Sequence, residues 1–266
     1  MSAPLFADTL KLTRSAPNLW SGEADTLFSN GDNRQFGGWV AALLLKAVLG
    51  SGKPTQTQRA IVVHFLAAVR PGALAVRVTP MREGRSVSYW QAELLQEESV
   101  CVHAVITLGE GRTDPFAVTA GGKPDAVPPD TPGLGRFTPP VPFGKELQAR
   151  WVEGAPFEGA APNRSVFWSG MTKPNRLDAA KLAFLADFVP PRIFYAAQKF
   201  VPSSTLSMTV YFHATQAELD AVGEDYVLAE AHARRIEAGY WDHSVSFWSP
   251  HGALLATSEQ LALHRG

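Results

Sequence analysis

Asp187, in "LADFVPP", is the residue of this sequence best placed to do acid–base chemistry. The run before it, "DAAKLAFLADF", is Ala, Leu and Phe, broken by only two other charges, Asp178 and Lys181. A carboxylate in the last turn of such a helix lies at the negative end of the helix dipole. The positions three and four residues away are Ala183, Phe184, Pro190 and Pro191, so no cation of its own helix can offset it. Buried there, desolvation would raise its pKa toward the range a general base needs near neutrality. Left in water, it is an ordinary solvated helix end. Gln260, in "TSEQLAL", alternates with Leu254, Ala256, Ser258 and Ala262. A buried amide in that company needs partners and could orient a water or a carbonyl; on an edge strand it would be a surface glutamine. Thr205, in "SSTLSMTVYFH", is opposite in parity to Leu206, Met208, Val210 and Phe212. It joins their face only at a strand start, a bulge or a seam between units, and read alone it is structural.

Other chemistries find little support. There is no G-x-S-x-G elbow and no Walker loop. The seven histidines are scattered; His232 and His243 fall on predicted strands without metal-ligand spacing, and His64 and His213 read as structural. The single cysteine, Cys101, reads as a small buried hydrophobe. No metal or resident cofactor is expected. A net charge of −1, from 24 basic and 25 acidic residues, gives no electrostatic footprint for nucleic acid or an anionic membrane. The N-terminus lacks a charged start followed by an apolar run, so neither leader nor membrane span is expected, and the default location is the cytoplasm.

The elements that must position these residues fall into two similar halves. "GGWVAALLLKAVLG", from Gly37 to Gly50, predicts a helix over Gly38–Leu49 that is apolar nearly all round, yet short of the ~20 residues a bilayer requires. After it come predicted strands beginning at Ala60, Leu74, Ser86 and Val100. The second half repeats the order: an apolar helix over 178–188, then strands through "STLSMTVYFHAT", "YVLAEAHARRIEAG", "WDHSVSFWSP" and "ALLATSEQLALHR", with a short acidic insert. Phe65 matches Phe212 and Gly84 matches Gly239, as in an internal repeat. Between the halves, residues 121–143 carry seven of the twenty prolines and suit neither a helix nor a central strand. The expected division is a first unit over 1–120, a linker over 121–150 and a second unit over 151–266. The expected class is α+β: two strongly bent antiparallel sheets, joined into one, each wrapped around a buried helix.

This pattern resembles the double hot-dog acyl-CoA thioesterases of the thioesterase II, or TesB-like, family. "QFGGWVAALLLKAV" is similar to the family's "FGGQ" helix start, "FLAAVRPGALAVRVTPMREGRSVS" to its RPG and GRS segment, and "GALLATSEQLALHR" to its final strand. The resemblance covers most of the chain and is weakest over the proline-rich stretch. It implies hydrolysis of acyl-CoA thioesters, with coenzyme A arriving as part of the substrate. It also implies a hydrolytic centre of Asp187, Thr205 and Gln260 holding a water. Trp39 stands where the family has glutamine, which alters the wall contributed by the first unit. That unit has Gln58 and Val105 at the positions matching Thr205 and Gln260, so one site per chain is expected. Arg70, Arg82 and Arg85 read either as a cluster for coenzyme A phosphates or as a solvated rim. The alternatives are a non-catalytic acyl-CoA-binding double hot-dog and a hot-dog hydratase or dehydratase; the latter usually needs a histidine near its helix, and neither apolar helix has one. Exposed sheet edges make a homo-oligomer the expected assembly.

Overall fold

The computed structural model describes residues 6–112, 116, 118–119, 121–159 and 164–265; the first five residues, part of the leader reading, lie outside them. The first unit runs α1 (Phe6–Thr9), β1 (Thr13–Ala16), β2 (Leu19–Ala24), α2 (Gly37–Leu49), β3 (Thr57–Phe65), β4 (Gly72–Glu83), β5 (Val87–Gln96) and β6 (Ser99–Gly109). The proline-rich stretch contributes a short edge strand, β7 (Gly135–Phe137), and the start of a 3-10 turn over Pro142–Glu146. The second unit runs β8 (Leu147–Glu153), β9 (Arg164–Met171), α3 (Ala179–Ala186), α4 (Ile193–Ala197), β10 (Ser203–Phe212), α5 (Gln216–Val222), β11 (Val227–His232), β12 (Ile236–Glu237), β13 (Tyr240–Trp248) and β14 (Leu254–His264). The strands before each central helix (β1 and β2, β8 and β9) are additions to the sequence reading.

All strands join one antiparallel sheet, in the order β1-β2-β4-β5-β6-β3-β10-β14-β13-β11-β9-β8-β7, with β12 paired to β13. The two units meet where β3 pairs with β10, Val62 opposite Thr209. The order reads outward from that seam in nearly matching fashion, as a duplicated unit should. Alternate strand residues such as Ile61, Val63, Met208 and Val210 face α2 and α3 and share one core with them. That explains the helix that is apolar on every side: Trp39 through Leu45 are all buried, one side against the sheet and another against α3. Removing one such leucine to alanine costs ~2–5 kcal/mol in a close-packed core.

The helices pack with the start of α2 against the end of α3. A Cβ placed on Gly38 would lie 2.2 Å from the Phe184 carbonyl oxygen, and one on Gly37 would lie 2.7 Å from Asp187 Oδ2. The glycine pair therefore sets how closely the helices approach. Phe184 fills the crossing, with the rings of Phe6, Phe28 and Phe36 at 4.7, 5.3 and 5.2 Å. Gly38→Ala must push backbone from backbone, so it should lower stability on the order of 1–3 kcal/mol. Equilibrium denaturation reads this directly, and an unchanged midpoint would contradict the close crossing.

Candidate active site

Asp178 caps the start of α3, accepting from the Lys181 backbone N–H at 2.7 Å. Nine residues later the helix ends on Asp187 as its C-cap, and Pro190 and Pro191 prevent its continuation. The same carboxylate faces the start of α2. There Phe36 is the N-cap and offers no side-chain hydrogen bond; instead Asp187 Oδ2 accepts from the Gly38 backbone N–H at 2.9 Å. A residue of the second unit thus supplies an N-terminal cap to the helix of the first. The electrostatics differ from the sequence reading in one respect. Asp187 does sit at the negative end of its own helix, but it also meets the positive end of another.

Thr205 reaches the group through a bulge. The β10–β14 register shifts between Thr205 and Ser207, so the parity that would turn Thr205 away from the core breaks just after it. The matching strand β3 shifts between Gln58 and Ala60, so the bulge is duplicated while the residue at it differs. Gln260 is buried on the inner face of β14, opposite Met208. Its Nε2 lies 3.1 Å from Asp187 Oδ1, 3.1 Å from the Ala186 carbonyl and 3.2 Å from Met208 Sδ. Thr205 Oγ1 lies 3.4 Å from Asp187 Oδ1 and 3.4 Å from Gln260 Oε1. All three sequence-predicted residues therefore come together. The Thr205 contacts are long for O–H···O bonds, as is common before a substrate tightens a site.

Burial raises the Asp187 pKa, while hydrogen bonds from Gln260, the Gly38 N–H and Thr205 pull it down; the balance leaves it at about 6. The sequence reading missed the Gly38 N–H, whose signal was the glycine pair before an uncapped apolar helix. Trp39 is fully buried and its indole N–H donates to Thr9 Oγ1 at 3.0 Å. The proposed arginine cluster does not form: Arg70 precedes β4 and Arg82 lies near its far end, roughly 35–40 Å along an extended strand. An open depression of about 670 Å³, lined by Lys123, Arg136, Arg150, Trp168 and Tyr226 among others, includes none of the Asp187 group.

Residues 121–264 match the model of the acyl-CoA thioesterase C-terminal domain, and residues 26–109 match that of the N-terminal domain. The chain belongs to the acyl-CoA thioesterase family. No curated protein matches this sequence. Among solved structures, this thioesterase-family chain is similar to a hot dog fold protein of unknown function from Alicyclobacillus acidocaldarius, at 27% identity and a TM-score of 0.93, over 100% of this chain and 99% of that one. It also shares its fold with acyl-CoA thioesterase II TesB2 from Mycobacterium marinum, at 19% identity and a TM-score of 0.79, over 98% of each chain. The tesB protein of Mycobacterium avium subs paratuberculosis is similar at 18% identity and a TM-score of 0.78, again over 98% of each. The double hot-dog architecture expected from the sequence is the one this chain adopts. No helix is long and apolar enough to cross a membrane among the described residues.

The raised pKa has a consequence for stability. The folded carboxyl holds its proton to about pH 6, whereas an unfolded one releases it near its ordinary value of 3.8. The folded state therefore binds more protons between those values, and stability falls as pH rises through that window. Asp187→Asn removes the effect. Its stability relative to the native chain should rise between pH 4 and 7.5 by at most ~3 kcal/mol, as denaturation at the two pH values would show. A difference independent of pH would contradict the shift.

Proposed function

We propose that the chain hydrolyses acyl-CoA thioesters with a water held by Asp187, Thr205 and Gln260. The observation that carries this is a carboxylate raised to about pKa 6 within hydrogen-bond reach of a buried amide and a hydroxyl, in a chain of the thioesterase family. Above that pKa Asp187 is ionised and accepts a proton as the water oxygen attacks the thioester carbonyl carbon. Thr205 and Gln260 fix the direction of the water's lone pair, which is a matter of positioning. Negative charge developing on the carbonyl oxygen is met by the positive end of α2. Collapse of the tetrahedral intermediate breaks the C–S bond. Asp187 returns its proton to the departing thiolate, giving the free acid and coenzyme A thiol. Met208 and the Ala186 carbonyl, both against Gln260 Nε2, set the orientation of the amide.

Thiol release from a panel of short, medium, long and aromatic acyl-CoAs tests the reading. The native chain should turn over at least one class, with kcat/KM rising through pH 6 to a plateau. Asp187→Asn should lower kcat by ~10²-fold or more, the usual loss on removing a positioned base. Thr205→Val and Gln260→Ala should each lower it by ~10–100-fold. Native rates in Asp187→Asn would exclude this role for the carboxylate.

A further inference from the structure

Arg192 follows Asp187 by five residues, at the start of α4, and its side chain is 0% exposed. Nη1 donates to Ser165 Oγ at 2.9 Å, and the guanidinium carbon stands 5.0 Å from the centre of the Tyr195 ring. Nε and Nη2 meet no acceptor among the described residues; the Tyr195 hydroxyl partly offsets the cost of burying the guanidinium, and no carboxylate among the described residues does. Around it lie further unmatched polar atoms. His243 is 0% exposed, and neither ring nitrogen has a partner among the described residues; the Trp241 indole N–H and the Ser258 hydroxyl are in the same position. Burial, then the charge of Arg192, holds His243 neutral.

These groups share a face with the reacting centre. Across β13 and β14, His243 pairs with Gln260, Trp241 with Ala262, and Val245 with Ser258. One strand spacing, ~4.8 Å, therefore separates His243 from the amide that contacts Asp187. The Arg192 charge does not act on Asp187, whose shift has no contribution from it. The cluster is adjacent to the chemistry without being part of it.

A buried guanidinium without an anion is unfavourable, and so are unmatched buried N–H groups. Both are relieved by one ligand type. A carboxylate takes a fork of two N–H bonds from a guanidinium and further donors from an indole or imidazole. An acyl chain whose thioester lies at Asp187 and which runs one strand toward β13 would bring its far end to this set. We propose that Arg192, with His243 and Trp241, forms a subsite for the distal carboxylate of a short dicarboxylic acyl group, making ω-carboxyacyl-CoA thioesters the preferred substrates. The inference rests on the thioester hydrolysis read above. The subsite is sealed, so the carboxylate reaches it only as α4 shifts. This helix has five residues, ends on Gln198 at φ 52°, and is faced on its outer side by the Phe157 and Phe200 rings, at 5.5 and 5.2 Å from Phe194.

The test compares matched thioesters, adipyl-CoA with hexanoyl-CoA and glutaryl-CoA with pentanoyl-CoA, by thiol release. The native chain should prefer the dicarboxylic member of each pair by ~10-fold or more. Arg192→Met should lower that preference by roughly 10–100-fold, the worth of a charge-assisted bond, with the loss mainly in KM. Arg192→Lys should restore part of it. Trp241→Phe, which keeps the ring and removes one donor, should lower it by about 3–10-fold and serves if Arg192→Met does not fold. A native preference for the uncharged chain, or equal losses on both members in every variant, would overturn the subsite while leaving hydrolysis standing. Absence of thiol from every thioester would overturn hydrolysis instead. In that case adipyl-CoA must still raise the melting temperature of Asp187→Asn more than hexanoyl-CoA does, and equal shifts would overturn the subsite too.

Discussion

The structure depends on one close approach, the start of α2 against the end of α3. Gly37 and Gly38 permit it, because any side chain there would strike Asp187 or the Phe184 carbonyl. The approach completes an uncapped helix with a carboxylate from the other half of the chain. It also places that carboxylate where burial raises its pKa without letting it stand unpartnered. The same hydrogen bond therefore joins the two units, terminates one helix and holds the group proposed to activate water. A single unit could not build this site, since the acid comes from the second half and the N–H from the first.

Duplication supplies the symmetry, and the site departs from it. Both units bulge at the same place in their central strand, at Gln58–Ala60 and at Thr205–Ser207. A bulge turns one side chain toward the core at the cost of a ladder bond, and only the second copy spends it on a hydroxyl beside a carboxylate. In the first copy the helix ends at Leu49 and Gly50, and the strand register puts Ile106 where Gln260 would be, one residue past the Val105 that counting along the sequence picks out. The first unit serves the second through the end of its helix.

Much of the architecture was legible. The apolar helices, the paired strands after each and the match of Phe65 with Phe212 follow from period and spacing, because core-facing residues leave a periodic trace. The strands ahead of each helix were missed: β1 and β2 are short and mostly exposed, and β9 is buried on both faces, so neither alternates cleanly. Asp187 stood out as a charge in an apolar run, and its partners came from resemblance. Thr205 had the wrong parity for the core, and sequence alone does not say which strand bulges. Arg192 left no trace, since a lone arginine after two prolines looks like a surface residue until the fold buries it, and His243 was weighed only as a metal ligand.

The central claim is that Asp187 is a carboxylate whose pKa is raised toward neutrality by where the two helices meet. The most direct measurement is a carboxyl-carbon NMR titration of the native chain, with Asp187 assigned from the Asp187→Asn spectrum. A transition near pH 6 is the result the geometry predicts. A transition at or below pH 4 would show a carboxylate in ordinary contact with water, and would contradict the account of how this crossing makes a base.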